Sequence, residues 1–200
     1  MNTLQKRILE IKFQQKENHI GSCLSALPII ESIYRKMRPE DRFVLSSGHA
    51  GVALYAVLEA KGYIPKEKTA KLSTHPIRNT KYKIHASTGS LGHGIGIAVG
   101  MAISGRTTYC LLSDGEMAEG SVWEALTIAD ALKLKNLHIY INANGYGGMG
   151  KIDVEKLKQK IHCFDLNILV VHGQSNFGPF KGLDAHYKSL SPEQYEALIH

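Results

Sequence analysis

The sequence predicts a single domain of the α/β class, with a mostly parallel sheet between two layers of helices. Two observations lead to this fold class. Two short β-prone runs enclose a stretch with helical periodicity, the pattern of a strand, a crossover helix and a parallel strand. The 200 residues are 44% apolar and 21% charged, which is enough to bury a substantial core. We therefore expect residues 1–200 to form one three-layer α/β/α domain.

The strand–helix–strand unit lies in the second half of the chain. Residues 107–112 (TTYCLL) and 137–141 (LHIYI) are β-prone, and each run ends just before a polar loop. Between them, residues 120–134 place apolar side chains at helical spacing. Because such a unit forms a right-handed crossover, the carboxyl ends of both strands should lie at one edge of the sheet, where ligands bind.

Asp114 and Asn144 follow these two strands. Asp114 begins an Asp-Gly turn, and Asn144 begins an Asn-Gly turn about thirty residues later. Carboxylate and amide oxygens are ligands that Mg²⁺ takes alongside the phosphate oxygens of a bound molecule. Asp-Gly and Asn-Gly are also common turns. The spacing alone therefore leaves two alternatives open, a metal and phosphate site or two ordinary loops.

Two histidines stand in turns that precede helices. His49 follows a strand-like run and precedes the helix-like residues 52–61. His19 precedes an apolar periodic helix at residues 24–34, which Ser22 is expected to cap. We expect both imidazoles to point into the site from these turns.

Several stretches together resemble the amino-terminal half of transketolases. The motif of that family is matched by Asp114-Gly115, Glu119-Gly120, Glu124-Ala125 and Asn144. The same order and spacing continue in residues 15–38, 41–65 and 87–102. The likeness is nearly continuous from about residue 5 to residue 150. It implies the fold that binds the diphosphate of thiamine diphosphate in this family.

The resemblance also implies roles for individual residues. The oxygens of Asp114 and Asn144 and the carbonyl of Tyr146 would hold Mg²⁺, or Ca²⁺ or Mn²⁺ in its place. The residues expected to contact thiamine diphosphate are His49, Gly89, Ser90, Leu91, Asp114, Gly115, Glu116, Asn144 and His186. The residues expected to act in catalysis are His19, His49, His75, His186, Glu119 and Glu124. The histidines would transfer protons because imidazole ordinarily titrates near neutral pH. A solvated helix start explains the two glutamates equally well.

The sequence departs from the family at several positions. Ser113 replaces the first glycine of the usual Gly-Asp-Gly, Thr74 replaces a glycine before His75, and His93 stands where glutamine is common. Ser113 would weaken metal binding only if that position requires a positive φ. The chain is also short after residue 150, so we expect a truncated domain that lacks one strand and one helix of the usual sheet.

By this resemblance, the activity is the transfer of a two-carbon glycolaldehyde unit from a ketose or ketose phosphate to an aldose or aldose phosphate. In the family, a separate domain holds the aminopyrimidine ring of the cofactor and supplies an activating glutamate. We expect a pyrimidine-binding partner subunit to provide that domain, as in split transketolases, in a heterotetramer with two copies of each chain. The sequence leaves the sugar donor and acceptor open.

Composition favours a cytoplasmic protein that binds neither nucleic acid nor a membrane. The net charge of +6 is dispersed and forms no basic stripe interleaved with aromatic residues. No apolar stretch reaches the roughly 18 residues of a membrane span, and the first residues lack the apolar core of a signal peptide. The cysteines Cys23, Cys110 and Cys163 are widely spaced and are expected to be buried thiols.

Two other functions fit parts of the sequence. The segment 144–150 (NGYGGMG) is similar to 2-oxo acid dehydrogenase α subunits, although residues 47–50 (SGHA) and 88–92 (TGSLG) favour a transketolase. A catalytically silent scaffold or regulatory subunit would explain the short carboxyl region. The presence of Asp114 and Asn144 together with the turn histidines argues against that second alternative.

Overall fold

The structure, a computed structural model, describes residues 1–148 and 150–199. Two helices precede the first strand, and helices then alternate with the strands of the main sheet. The helices are α1 (Thr3–Gln15), α2 (Ile20–Lys36), α3 (Gly51–Ala60), α4 (Lys66–Thr69), α5 (His93–Ile103), α6 (Gly120–Ala131), α7 (Val154–Ile161), α8 (Asp184–Tyr187) and α9 (Pro192–Ile199). The strands are β1 (Arg42–Leu45), β2 (Thr108–Ser113), β3 (Leu137–Ala143), β4 (Tyr146–Gly147), β5 (Gly150–Lys151), β6 (Asn167–His172), β7 (Asn176–Phe177) and β8 (Phe180–Lys181).

A parallel sheet of four strands forms the middle layer, in the order β1-β2-β3-β6. The register pairs Ser113 at the end of β2 with Asn142 near the end of β3, so both strands end at the same edge. The predicted strands at residues 107–112 and 137–141 are confirmed and run slightly further toward their carboxyl ends. Helix α6 is the predicted crossover between them, which confirms the strand–helix–strand unit.

Alternate residues along each strand point to opposite faces of the sheet, and this alternation produces two hydrophobic cores. Helices α1, α2 and α3 cover one face, where the sheet contributes Phe43, Leu45, Tyr109, Leu111 and Tyr140. Helices α5, α6 and α7 cover the other face, where it contributes Val44, Cys110, Leu112, Ile139 and Ile141. Layers of helices on both faces of a parallel sheet confirm the predicted α/β/α class.

The chain after residue 150 adds one more strand to the main sheet. Helix α7 leads into β6, which pairs in parallel with β3. The hairpin β7–β8 then leads to α8, and α9 returns to α1, where Tyr195 stacks on Phe13 with 4.4 Å between ring centroids. That a strand and a helix are missing relative to the family stays a prediction.

Two further features of the structure concern membrane-spanning helices and the three cysteines. Within the described residues, no helix is long and apolar enough to cross a membrane. Cys23 and Cys110 are buried free thiols, as predicted. The same prediction is wrong for Cys163, which is exposed. Helix α7 turns Leu157 and Ile161 inward and then ends, so Cys163, two residues later, faces solvent.

Lys12 is a fully buried lysine on α1. Its side chain is 0% exposed, and its Nζ atom has no hydrogen-bond partner among the described residues. Because an unsatisfied buried polar group costs about 1–3 kcal/mol, we expect Lys12→Met to raise the free energy of unfolding in urea by about 2 kcal/mol. The exposed control Lys71→Met should change it by less than about 0.5 kcal/mol. A loss of stability in Lys12→Met would contradict this account.

Candidate active site

A cavity of about 210 Å³ opens at the carboxyl ends of β1, β2 and β3. In open parallel sheets this edge is where ligands bind. The cavity brings together three of the predicted histidines and the polar ends of two strands. Its lining includes His19, His49, His186, Ser113, Asn142 and Asn144.

Asp114 connects the two loops that the sequence placed together. Its side chain is 2% exposed; Oδ1 accepts a hydrogen bond from the Gly115 N–H at 3.0 Å, and Oδ2 accepts one from the Gly145 N–H at 2.7 Å. Burial raises the pKa of Asp114 to about 6, although the two N–H donors act in the opposite direction. Asn144 Oδ1 accepts from the Tyr146 N–H at 2.9 Å, which fixes the neighbouring turn. The two predicted ligands therefore lie in adjacent, hydrogen-bonded loops.

The backbone next to Asp114 packs closely against the loop that contains Tyr146 and Gly147. A Cβ atom added to Gly115 would lie 3.0 Å from the Gly147 Cα and 3.8 Å from the Tyr146 carbonyl oxygen. The carbonyl that the sequence assigned to a metal is thus next to the Asp114 turn. Ser113 is not among the described residues with a positive φ, so the serine is compatible with this turn.

The donor set around this turn suits a hard divalent cation. It consists of one carboxylate, one amide oxygen and one carbonyl, the oxygen donors that Mg²⁺ accepts when phosphate oxygens complete its coordination. In the part of the chain that the structure describes, no cluster of three or more His, Cys, Asp or Glu side chains could hold a metal. The fit of a metal here therefore depends on Asp114 as the single acidic ligand, with Asn144 and Tyr146 beside it.

Three histidines that line the cavity form a cluster. The rings of His19 and His49 have centroids 5.0 Å apart, and those of His19 and His186 lie 6.4 Å apart, edge to face. The His19 N–H donates to the His186 carbonyl at 2.9 Å, and Ser22 Oγ lies 3.0 Å from His186 Nδ1. His186, which is 167 positions from His19 in sequence, is thereby held at the start of α2.

Burial keeps these imidazoles neutral. It lowers the pKa of His49 to about 3 and that of His19 to about 4, and the positive charge of Lys12 and the neighbouring histidines act in the same direction. Burial also lowers the pKa of His186. The expectation that His19 and His49 titrate near neutral pH is therefore corrected. Near pH 7 each is a neutral ring with one N–H donor and one acceptor nitrogen.

His19 has an unusual backbone conformation. Its φ of 60° lies in the left-handed region, and it is the N-cap residue of α2, which has no side-chain cap. The prediction that Ser22 caps this helix is wrong, because the helix begins at Ile20 and the Ser22 hydroxyl contacts His186 instead. His19 Nδ1 is buried without a hydrogen-bond partner among the described residues. Such an unsatisfied nitrogen beside a cavity is a ready partner for a bound molecule.

The glycine loop before α5 forms another part of the wall. Leu91 lines the cavity, whereas Ser90 is exposed. His75 lies outside the lining, and its ring packs on Gly89, with 3.2 Å from its nearest carbon to a Cβ added there. His93 is exposed at the first turn of α5. The loop thus positions Leu91 at the site and leaves His75 at its border.

Glu116 lies behind the cavity wall and connects three segments. It is 0% exposed, and its Oε1 accepts hydrogen bonds from the Ser46 hydroxyl and from the Gly92 N–H, the latter at 2.8 Å. Its own N–H donates to Ser113 Oγ at 3.2 Å. Glu116 therefore joins the end of β1, the start of α5 and the end of β2, and it lies outside the lining of the cavity. Its predicted contact with a cofactor stays a prediction.

This network makes Glu116 a strong determinant of stability. We expect Glu116→Ala to lower the free energy of unfolding by about 2–4 kcal/mol, because two buried donors, on Ser46 and Gly92, lose their acceptor. Glu116→Gln should lower the free energy of unfolding less, since its amide oxygen can still accept these hydrogen bonds. Urea denaturation monitored by circular dichroism measures both changes, with Glu124→Ala on the exposed face of α6 as the control. Equal effects of Glu116→Ala and Glu124→Ala would contradict the role of this network.

A larger cleft of about 500 Å³ is lined by residues of α6 and α7 and by Asp114, and it shares Leu91, Gly115, Gly147 and Gly148 with the first cavity. Its lining contains Glu119 and Trp123 but no histidine. Glu124 is exposed one turn further along α6. Because three histidines converge on the smaller cavity, we take it as the candidate active site, with Asp114 between it and the cleft. The two predicted glutamates lie outside it, on the surface of the chain.

Sequence reasoning missed Asn142 as part of the cavity. Its Nδ2 donates to Ser25 Oγ at 2.8 Å, and its Oδ1 is buried without a partner among the described residues. The sequence pattern could have indicated Asn142, because it lies two positions before Asn144 at the end of an apolar strand. Ser47 also lines the cavity, next to His49.

Comparison with known proteins identifies the family of this chain. The chain matches the family model for the transketolase thiamine diphosphate binding domain over residues 2–180. It is 35% identical over 196 residues to one of the subunits of the apulose-4-phosphate transketolase of Phocaeicola vulgatus, an alignment that covers 84% of this chain and 69% of that protein. With the transketolase of Homo sapiens it shares 34% identity over 185 residues, which covers 78% of this chain and only 30% of that protein.

Solved transketolase structures have the same fold. The transketolase of Leishmania mexicana has a TM-score of 0.66 and 25% identity, covering 79% of this chain and 30% of that one. The transketolase of Campylobacter jejuni has a TM-score of 0.72 and covers 98% of this chain and 43% of that one; at 21% identity it supports the fold alone. The predicted resemblance is confirmed by the family match and by the bacterial relative, and the chain belongs to the transketolase family, as its thiamine diphosphate-binding domain.

Proposed function

We propose that the chain is the diphosphate-binding subunit of a split transketolase. In this proposal it transfers a two-carbon glycolaldehyde unit from a ketose or ketose phosphate to an aldose or aldose phosphate, with thiamine diphosphate and Mg²⁺. The observation that carries the proposal is one cavity that brings Asn144 and Tyr146 together with three histidines, beside the buried Asp114 that hydrogen bonds to the same loop at Gly145. The donors suit a metal-bound diphosphate, and the histidines suit a polyhydroxylated substrate.

The residues of the candidate site divide into two groups in this proposal. Asp114, Asn144 and the Tyr146 carbonyl would hold Mg²⁺, while His49 and His186 would donate hydrogen bonds to the diphosphate. The loop 89–91 and the residues 115 and 116 would complete the contacts. Thiamine diphosphate would supply the chemistry that breaks and forms a carbon–carbon bond next to a carbonyl.

The histidines would act on the sugar. A neutral imidazole can donate a hydrogen bond to a carbonyl oxygen and accept one from a hydroxyl, so it can move a proton between them without carrying a charge into a buried site. His19 is the best placed, because its buried Nδ1 has no partner among the described residues and its ring lies 5.0 Å from that of His49. His75, at the border of the cavity, would contact the more distant hydroxyls of a sugar.

A second, partner chain would complete the active site. Two relatives, from Phocaeicola vulgatus and Actinobacillus succinogenes, are each described as one of the subunits of an apulose-4-phosphate transketolase. A phosphorylated ketose is accordingly the donor class that we propose. Glu119 and Glu124 are exposed beside the cavity, where a pyrimidine-binding subunit could cover them, and a heterotetramer with two copies of each chain is the assembly we propose.

The proposal is tested by an assay of two-carbon transfer after the chain is co-expressed with a pyrimidine-binding partner subunit. We expect the purified pair to transfer glycolaldehyde between sugar phosphates only when thiamine diphosphate and Mg²⁺ are both present. The chain alone should show no turnover. A complex that binds thiamine diphosphate but never turns over would instead support the scaffold alternative. A chain that binds neither the partner nor thiamine diphosphate would refute the proposal.

A further inference from the structure

We propose that the chain has a second binding site, for a small tetrahedral oxyanion such as inorganic phosphate, at the edge of the sheet opposite the active site. The site is a cavity of about 90 Å³, less than half the volume of the active-site cavity. Its polar lining includes Tyr34, Arg38, Lys61, Tyr63, Lys83 and His85. This inference does not depend on the proposed enzymatic function.

The second cavity and the active site lie at opposite ends of α2. His19 stands at the first end and Tyr34 in the last turn, and a helix of 17 residues is about 25 Å long. His85 contacts Phe43, at the beginning of β1, whereas the active site lies at the carboxyl ends of the strands. A ligand in the second cavity could not touch a cofactor in the first.

The polar groups that face this cavity are mostly donors without an acceptor. Tyr34 Oη is buried and has no hydrogen-bond partner among the described residues, and burial raises the pKa of this phenol, so it remains protonated. His85 Nδ1 lies 3.0 Å from the Phe43 nitrogen and 3.3 Å from the Phe43 carbonyl oxygen, so the Phe43 backbone occupies this ring nitrogen. Three cationic side chains add further donors. Apart from Asp41, whose Oδ2 already accepts from the Arg38 N–H, the charged groups of this set are donors, for which an oxyanion would provide acceptors.

The charges that line the cavity favour an anion. Arg38, Lys61 and Lys83 contribute three positive charges. Asp41 contributes one negative charge, and its Oδ2 already accepts from the Arg38 N–H at 2.8 Å. The carboxyl end of α2 adds roughly half a negative charge. The balance therefore remains positive. Burial lowers the pKa of His85 to about 4, and the positive charges of Arg42 and Lys83 act in the same direction.

Lys83 has a left-handed backbone conformation, which is uncommon for a lysine. Lys83 has a φ of 59°, in the left-handed region, inside a turn closed by reciprocal backbone hydrogen bonds of 2.9 Å between Asn79 and Ile84. A non-glycine residue in this conformation costs about 1–2 kcal/mol. A turn that glycine would form more easily thus presents a lysine to the cavity.

The test is isothermal titration of the full chain with inorganic phosphate, and separately with sulfate, at constant ionic strength maintained with chloride. Thiamine diphosphate and Mg²⁺ are present in excess so that they compete with inorganic phosphate for binding at the first cavity. The cavity variant is Lys61→Gln/Lys83→Gln, and the control Lys68→Gln/Lys71→Gln removes the same charge from nearby surface. Tyr34→Phe, which preserves packing, removes only the unpartnered hydroxyl.

We expect the wild-type chain and the control to bind phosphate equally. The cavity variant should bind at least about tenfold more weakly, and Tyr34→Phe at least about threefold more weakly. Sulfate binding with the same response to these variants would support the site as well. The proposal is overturned if neither anion binds more strongly than chloride, or if the cavity variants bind as the wild-type chain does. An equal loss of affinity in the cavity and control variants would also overturn it, since that loss would reflect net charge alone.

Discussion

Asp114→Asn is expected to weaken Mg²⁺-dependent binding of thiamine diphosphate by at least about 100-fold, because it removes the single carboxylate of the proposed metal site. The asparagine retains one oxygen that can accept from Gly115 or Gly145, so the loop should still fold. Isothermal titration of the complex with its partner subunit measures the affinity. Asp165→Asn, at an exposed position, is the matched control and should bind as the wild type does.

The pH dependence of this effect has a definite sign. The folded-state pKa of Asp114, about 6, is above the ordinary value of 3.8, so its contribution to stability is fully present below pH 3.8 and is lost as the pH rises through 6. At pH 7 the buried carboxylate thus costs about 3 kcal/mol, which a bound cation would offset. We expect Mg²⁺ to stabilise the wild-type chain more at pH 8 than at pH 5.5. Equal stabilisation of Asp114→Asn by Mg²⁺ at pH 8 would contradict the metal assignment.

His49→Gln is expected to lower kcat by about 100-fold or more, the usual effect of removing a group that transfers a proton. The glutamine can still hydrogen bond, so the loss should fall on kcat more than on binding of thiamine diphosphate. Steady-state kinetics of the complex, with cofactor affinity measured in parallel, separates the two effects. His138→Gln is the control, because His138 stacks on Tyr109 at the far end of the sheet, with 4.9 Å between ring centroids. Unchanged kcat in His49→Gln would remove His49 from the mechanism.

The same substitution should also change how the chain responds to acid. The folded-state pKa of His49, about 3, lies below the ordinary 6.5, so the stability that it contributes is present above pH 6.5 and is lost as the pH falls toward 3. At pH 5 this loss amounts to about 2 kcal/mol. Urea denaturation at pH 7.5 and pH 5 should therefore show a smaller acid-induced loss of stability in His49→Gln than in the wild type. An identical loss would contradict the burial of a neutral imidazole.

Much of the fold and part of the site could be predicted because they depend on local patterns. The strands around Asp114 and Asn144 follow from apolar β-prone runs, and parallel pairing then brings the two side chains to one edge. His49 was placed correctly because it follows β1 and precedes α3. These predictions require only the periodicity of each element and the handedness of the crossover.

The rest depends on contacts between segments that are distant in sequence. The left-handed conformation of His19 is stabilised by the His186 carbonyl, and the buried position of Glu116 by Ser46 and Gly92. The low pKa values of His19 and His49 result from burial and, to a lesser extent, from the charges of neighbours mostly distant in sequence, which no local pattern encodes. The exposure of Cys163 likewise follows from where α7 ends.

The most direct measurement is an anomalous difference map from crystals of the chain with its partner subunit, grown with thiamine diphosphate and Mn²⁺ in place of Mg²⁺. We predict one manganese peak at about 2.0–2.3 Å from oxygens of Asp114, Asn144 and the Tyr146 carbonyl, with the diphosphate on its other side. A cofactor bound without a metal peak at this turn, or a peak elsewhere in the chain, would contradict the account.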